Sequence, residues 1–226
     1  MTQGRWLPRP VVKLTGRGKQ RHCRSILSSM IEVNAVKPLQ RAVFLDRDGV
    51  INVEKGYLHR IEDFEFLPGA PEALRLLKEA GFLLVVVTNQ SGVARGYYTL
   101  EAVHQLHRHL QNELKPYAAA IDGFYICPHH PEHGSGKFAA ECSCRKPLPG
   151  MLEQAVADFR IDPAQSYLVG DKLSDIDAGH AAGCRCLLVR TGYGDISAEA
   201  VPKDVTIVDD LLAAARFIIG EETPEK

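Results

Sequence analysis

Between residues 42 and 208 the chain alternates short apolar runs with longer stretches in which apolar residues recur every three or four positions. The short runs lie at 42–46 (AVFLD), 83–88 (LLVVVT), 123–127 (GFYIC), 166–170 (SYLVG), 186–189 (CLLV) and 205–208 (VTIV). Runs this brief and this continuously apolar predict strands buried on both faces, as in a parallel sheet. Helical periodicity fills the intervals. In 68–81, PGAPEALRLLKEAG, a Pro-rich start and a Gly stop frame Leu74, Leu77 and Ala80. In 99–114, TLEAVHQLHRHLQNEL, Val103, Leu106, Leu110 and Leu114 share one face. Further helices are expected over 150–159, 174–182 and 210–219. The alternation predicts one α/β domain over 41–220, a Rossmann-like open parallel sheet with helices on both faces.

Residues 1–40 break the pattern. They hold eight Lys or Arg against a single acid, Glu32, which leaves 19 basic and 27 acidic residues for the rest of the chain. The segment is expected to be a basic extension, either poorly ordered or upstream of a true start at Met30. The acidic body disfavours nucleic acid as a partner, so an anionic substrate has to be drawn by local cations rather than by the overall field. No secretory signal is evident, and no apolar run approaches the ~18 residues that span a bilayer. A soluble, cytoplasmic protein with no membrane partner is therefore expected. Six cysteines in such a chain fit a reducing compartment and not a disulfide framework.

In an open parallel sheet the reactive groups gather beyond the carboxyl ends of the strands. Asp46, Thr88 and Asp171 each stand at such an end. Asp46 and Asp48 are two apart in AVFLDRDGVI, so an extended chain points both to one side, and Gly49 lets the chain turn sharply after them. Carboxylates this close repel and become tolerable beside a hard cation; Mg2+, which takes oxygen ligands, suits. Asp171 and Asp175 in LVGDKLSD are open to two readings, as cation ligands or as acids capping the next helix. Thr88 and Asn89, followed by QSG, offer a hydroxyl and backbone N–H groups to phosphate oxygens.

The segment CPHHPEHGSGKFAAECSCRKP offers Cys127, His129, Cys142 and Cys144, with His130 and His133 as competing ligands. A Cys-x-His pair and a Cys-x-Cys pair joined by a Gly-containing stretch fit a closed tetrahedral zinc site in a loop over 127–144. Four protein ligands leave no position for a reacting water, so this zinc would be structural. His104, His107 and His109 read as decoration on a solvated helix flank. Cys184 and Cys186 read as small buried core residues.

The segments FLDRDGV, VVTNQSG, CRKP and LVGDKLSD, in that order across residues 42–190, resemble the haloacid dehalogenase superfamily of aspartate-nucleophile phosphotransferases. The resemblance implies a Mg2+-dependent phosphatase. Asp46 would be the nucleophile that forms an aspartyl phosphate and Asp48 the acid/base, with Thr88 and Lys146 completing the catalytic set. It also implies Mg2+ ligands in the Asp46 carboxylate, the Asp48 backbone carbonyl and Asp171, with Asp175 reaching the ion through water. His129 would be the histidine that joins Cys127, Cys142 and Cys144 on zinc.

A zinc loop joined to CRKP, with only ~20 residues between Asp48 and the first long helix and thus no room for a cap domain, resembles a narrow group of small, essentially capless phosphatases. That group acts on a heptose 1,7-bisphosphate or on histidinol phosphate. The 12 residues between His129 and Cys142, and EKGY at Glu54, Lys55, Gly56 and Tyr57, are similar to the heptose type. This implies removal of the 7-phosphate, on the way to nucleotide-activated heptose for lipopolysaccharide core. Contacts to the phosphorylated sugar would come from Glu54, Lys55, Gly56, Tyr57, Asn89, Gln90, Ser91, Arg145 and Lys172, in a monomer. A reading from another class, a zinc-stabilised binding module without catalysis, has no physical need for Asp46, Lys146 and Asp171 together.

Overall fold

In the computed structural model, which describes residues 38–134 and 136–222, six strands make one parallel sheet. They are β1 (Ala42–Leu45), β2 (Leu83–Asn89), β3 (Gly123–Cys127), β4 (Tyr167–Gly170), β5 (Arg185–Val189) and β6 (Thr206–Val208), in the order β3-β2-β1-β4-β5-β6. The chain steps outward from β1 to β2 and β3, then returns to β4 on the other side of β1. The order therefore reverses between β1 and β4, the place where open sheets of this kind form a crevice at their carboxyl edge. The Asp46 N–H donates to the Val169 carbonyl (3.1 Å), fixing the start of that crevice.

Successive strand residues face opposite sides, so each strand feeds two cores. Val43, Leu45, Leu84, Val86, Tyr167, Val169, Leu187 and Val189 enter one, together with Leu74 and Leu77 of α1 (Ala70–Glu79) and Ala214 and Ile218 of α7 (Leu211–Glu222). Ala42, Phe44, Val85, Val87, Leu168 and Leu188 enter the other, with Leu152 and Ala155 of α4 (Gly150–Phe159) and Ile176 of α5 (Leu173–Ala181). Each fully buried Leu or Val contributes about 1.5–3 kcal/mol, and it is this two-sided burial that fixes the strand ends in space. Cys184 and Cys186 are buried, and burial pushes both thiols up to about 12.

Helix α3 (Leu100–Glu113) begins where the Thr99 hydroxyl accepts the Ala102 N–H at 3.1 Å. It buries Val103, Leu106, His107 and Leu110. His107 thus departs from the solvated flank expected of it. Positions 103, 107 and 110 share a helical face, and the imidazole stacks on Phe124 of β3, with ring centroids 4.4 Å apart. Two four-residue helices, α2 (Ser91–Ala94) after β2 and α6 (Gly194–Ser197) after β5, are too short to have a period in the sequence. The basic extension lies outside the described residues except for its last three. Of these Gln40 is tied to the domain, its N–H donating to Arg160 (2.9 Å) and its carbonyl accepting from Asp162 (2.8 Å). Among the described residues no helix is long and apolar enough to cross a membrane.

Candidate active site

Lys146 is 4% exposed and its ammonium holds the floor of the crevice together. It lies 3.0 Å from Asp46 Oδ1 and 2.6 Å from Asp175 Oδ1, and donates to the Val87 carbonyl at 2.8 Å. Burial alone would lower its pKa; Asp175 and Asp46 outweigh burial and raise it. The lysine is delivered from a loop by a reciprocal lock. Asn89 Nδ2 donates to the Lys146 carbonyl and Asn89 Oδ1 accepts the Lys146 N–H, both at 3.1 Å. Asp175 has a second task in the first turn of α5, where its Oδ2 accepts the N–H groups of Asp171 (3.2 Å) and Lys172 (3.0 Å). It thereby caps the helix and pairs with the lysine at once.

Asp171, at the end of β4, is fully buried. Its Oδ2 accepts the Tyr193 N–H at 2.9 Å, whereas its Oδ1 accepts no hydrogen bond, with the Lys172 ammonium 3.5 Å away. Burial first, and then the charge of Asp46, raises its pKa to about 7. Ligand oxygens of Asp46, Asp171 and Asp175 lie within 4.8 Å of one another. Three buried carboxylates, with Asp171 Oδ1 left without a hydrogen bond, fit a hard divalent cation such as Mg2+. Two glycines make this packing possible. A Cβ on Gly49 (φ +88°) would stand 2.3 Å from Asp171 Oδ2, and one on Gly192 (φ +62°) 2.2 Å from the same atom.

Asp48 faces the crevice within a ring of donors. Arg47 Nη2 donates to Oδ2 (2.8 Å) and Oδ1 (3.0 Å), Asn52 Nδ2 to Oδ1 (2.9 Å) and Gln90 Nε2 to Oδ2 (3.1 Å). Gln90 also donates to the buried Thr88 hydroxyl (2.9 Å) and accepts from the Tyr98 hydroxyl (2.8 Å).

A cleft of about 520 Å³ opens above these groups, lined by Asp48, Glu54, Gly56, Tyr57, Asn89, Gln90, Ser91, Arg145, Lys146, Lys172 and Tyr193 among others. It leads to a recess of about 60 Å³ that reaches Asp46, Thr88 and Asp175. Lys172 stands between Glu54 (3.6 Å) and the ring of Tyr193 (4.5 Å to the centroid). Lys55 is placed differently from its sequence neighbours: it is exposed, ion-paired to Glu65 at 3.0 Å, and not on the cleft wall. Tyr57 takes the left-handed conformation (φ +59°) at the cleft, a conformation that costs a non-glycine residue about 1–3 kcal/mol and clusters at functional sites.

The cysteine loop gathers a second cluster. Sγ of Cys127 and Cys142 are 3.6 Å apart and those of Cys142 and Cys144 3.3 Å, while His129 Nδ1 lies 3.4 Å from Cys144 Sγ and 3.9 Å from Cys127 Sγ. Ligands about 2.0–2.3 Å from a tetrahedral ion stand roughly 3.5–3.8 Å apart, so these four residues could hold a metal ion. Burial pushes the Cys127 and Cys144 thiols up; for Cys142 burial is outweighed by hydrogen bonds from Cys144 and Cys127, which push it down. His130 is turned away from the cluster, its Nδ1 accepting the N–H groups of Glu132 and His133. The loop reaches the cleft through Arg145, whose Nη1 donates to the His129 carbonyl at 3.3 Å.

Three features of the site have no counterpart in the sequence reading. Arg47 is wholly buried behind Asp48. The loop Thr191–Gly192–Tyr193 closes over Asp171, with the Thr191 hydroxyl donating to the Gly49 carbonyl at 2.6 Å. Tyr98 supports Gln90. The TGYG following β5 was the available signal for the second, since the carboxyl end of every strand in such a sheet faces the crevice.

A doubly wound sheet with a buried acid–lysine–acid centre beyond β1, and a further acid beyond β4, is the arrangement of a HAD-like hydrolase. The model of the HAD-hydrolase-like family matches residues 143–214. The D-glycero-beta-D-manno-heptose-1,7-bisphosphate 7-phosphatase of Haemophilus ducreyi is 46% identical over 181 residues, 79% of this chain and 98% of the relative. The Escherichia coli protein of the same name is 51% identical over 184 residues, 81% of this chain and 96% of the relative. Among solved structures, the D,D-heptose 1,7-bisphosphate phosphatase from B. bronchiseptica, complexed with magnesium and phosphate, has a TM-score of 0.74 at 32% identity and covers 80% of this chain and 99% of its own. The Burkholderia thailandensis enzyme of that name has a TM-score of 0.61 at 32% identity, with the same shares covered. The chain belongs to the HAD-like hydrolases, in the family that these heptose bisphosphate phosphatases form.

Proposed function

We propose that this chain is a phosphoric monoester hydrolase that removes the 7-phosphate of D-glycero-D-manno-heptose 1,7-bisphosphate, on the way to nucleotide-activated heptose, with the phosphoryl group passing through Asp46. The observation that carries this reading is the Asp46–Lys146–Asp175 centre at the bottom of the cleft. It is supported by the shared name of relatives matched over 96–98% of their length. That name also favours the heptose substrate over histidinol phosphate, and the complete set of acids with the lysine argues against an inactive binding module.

Asp46 attacks phosphorus in line with the bond to the oxygen on carbon 7, forming the aspartyl phosphate as that bond breaks. Asp48 gives its proton to the departing oxygen. It then takes a proton from the water that attacks the same phosphorus, which returns Asp46 as a carboxylate and releases phosphate. Lys146 stays charged throughout, holding Asp46 in place and offsetting the charge of the phosphoryl oxygens, to which the Thr88 hydroxyl and the residues of Asn89–Ser91 add hydrogen bonds. Mg2+ would be held by the carboxylates of Asp46 and Asp171 and the Asp48 carbonyl, where it neutralises charge on the phosphoryl group. Arg145 and Lys172 bind the remainder of the substrate, including its second phosphate. Zinc would be held by Cys127, His129, Cys142 and Cys144, where with four protein ligands it would be structural and tie the loop that carries Arg145 and Lys146.

The test is phosphate release with Mg2+ from the heptose bisphosphate and from histidinol phosphate side by side. Preference for the heptose by more than about 100-fold, a difference of ~2.7 kcal/mol in transition-state binding, is expected. The reverse preference overturns the substrate, and no release from either overturns the activity.

A further inference from the structure

We propose that His107 of α3 is a positioning residue for this hydrolysis, acting through Arg47 to hold the carboxylate of Asp48. The proposal rests on the acid/base reading of Asp48.

Arg47 has no solvent exposure, and its guanidinium is used at both ends. Nη2 and Nε point at the Asp48 carboxylate, and Nη2 also donates to the Leu58 carbonyl at 3.2 Å. Nη1 lies 3.2 Å from Nε2 of His107, 60 residues further along the chain. A guanidinium only donates, so Nε2 is the acceptor and the ring is neutral with its proton on Nδ1. Burial, then the charge of Arg47, holds the imidazole pKa down to about 2, in keeping with that state.

The ring gains nothing else from being polar. It is 4% exposed and stacked on Phe124, and its Nδ1 has no hydrogen-bond partner. An unsatisfied buried donor is a cost, which an apolar side chain of similar shape would avoid. The one polar contact that offsets this cost runs to Arg47. His107 therefore determines where the far end of the guanidinium rests, and the near end determines where Asp48 rests. A displacement of about 1 Å at a reacting group costs as much as 100-fold in rate.

Two variants separate positioning from bulk. His107→Leu keeps volume and loses the acceptor; His107→Gln keeps an amide oxygen able to accept from Nη1. With the heptose bisphosphate and Mg2+, His107→Leu is expected to lower kcat about 10- to 100-fold with KM within two-fold of the parent, and His107→Gln to recover kcat to within about three-fold. Should His107→Leu fail to fold, His107→Asn replaces it, because its shorter amide falls short of Arg47, and the same kcat loss is expected. Parental kcat in the acceptor-free variant overturns the proposal, as does an equal loss in His107→Gln or a loss confined to KM. An inactive parent overturns the acid/base reading instead, so the two failures are distinguishable.

Discussion

Lys146 Nζ lies 3.0 Å from Asp46 Oδ1, with both side chains more than nine-tenths buried and 100 positions apart in the sequence. The contact joins the end of the first strand to the loop that carries the cysteine cluster, two residues after Cys144. Through it the cysteine loop and the Asp46 carboxylate become one mechanical unit. Asp175 joins the same ammonium from a third element, so the lysine is the common counter-charge of two buried acids.

Removing that counter-charge should destabilise the protein as well as inactivate it. Lys146→Met leaves two buried carboxylates uncompensated, and loss of one partner from a buried ion pair costs about 3–5 kcal/mol. Urea unfolding of the metal-free variant is expected to show a loss of that size, with a smaller loss when Mg2+ is present. Equal losses with and without Mg2+ would show that the cation and Lys146 do not share these acids.

The cysteine cluster predicts a metal that is needed for shape and not for the reaction itself. Cys142→Ser should release about one zinc per chain, seen by elemental analysis of the purified protein, and should lower activity through Arg145 and Lys146. Retention of the full zinc complement in the variant would show that Cys142 is not a ligand.

Gly49 predicts an effect on cation binding from a residue that carries no functional group. Its φ of +88° and the 2.3 Å approach of a Cβ to Asp171 Oδ2 leave no room for alanine. Gly49→Ala is expected to raise the Mg2+ concentration needed for half-maximal activity at least ten-fold and to lower kcat by about 100-fold. Unchanged Mg2+ dependence would contradict the role given to Asp171.

Burial of a neutral His107 predicts a share of the acid sensitivity of the fold. Its pKa is about 2 in the folded protein and near 6.5 in the unfolded chain. Below pH 6.5 the unfolded chain binds a proton there that the folded protein refuses, so this residue's contribution falls as the pH falls. Between pH 7 and pH 5 the change is ~2 kcal/mol. The stability difference between the parent and His107→Gln should shrink or reverse by that amount over the same range, as measured by denaturant unfolding at each pH. A pH-independent difference would show that the imidazole titrates in the fold as it does in the unfolded chain.

Much of this was legible in the sequence, for physical reasons that also mark where legibility ends. Strands buried on two faces must be apolar at every position, so runs such as LLVVVT declare themselves. The carboxyl-edge rule then points to Asp46, Thr88 and Asp171. Lys146 came from its company in CRKP. His107 looks polar on a helix, while its burial follows from Val103 and Leu110 on its own face and from Phe124 on a strand behind it. Arg47 is masked in the sequence by the two aspartates that flank it, yet those neighbours face the crevice while it turns inward. The Thr191–Tyr193 loop is announced by TGYG at the carboxyl end of β5, but its contact with Gly49, 142 positions earlier, is not. Lys55 shows the converse: a motif names four consecutive residues, but the backbone bends at Gly56 and Tyr57 (φ +63° and +59°), and Lys55 leaves the cleft to pair with Glu65.

A phosphoryl group is expected to rest on Asp46 during turnover. Protein mixed with the heptose bisphosphate and Mg2+, quenched in acid within milliseconds and digested, can be mapped by mass spectrometry. The account predicts one phosphoryl group on the peptide containing Asp46, and none in Asp46→Asn, which should fold like the parent without turning over. Steady release of phosphate with no such adduct, or an adduct on a different residue, would contradict it.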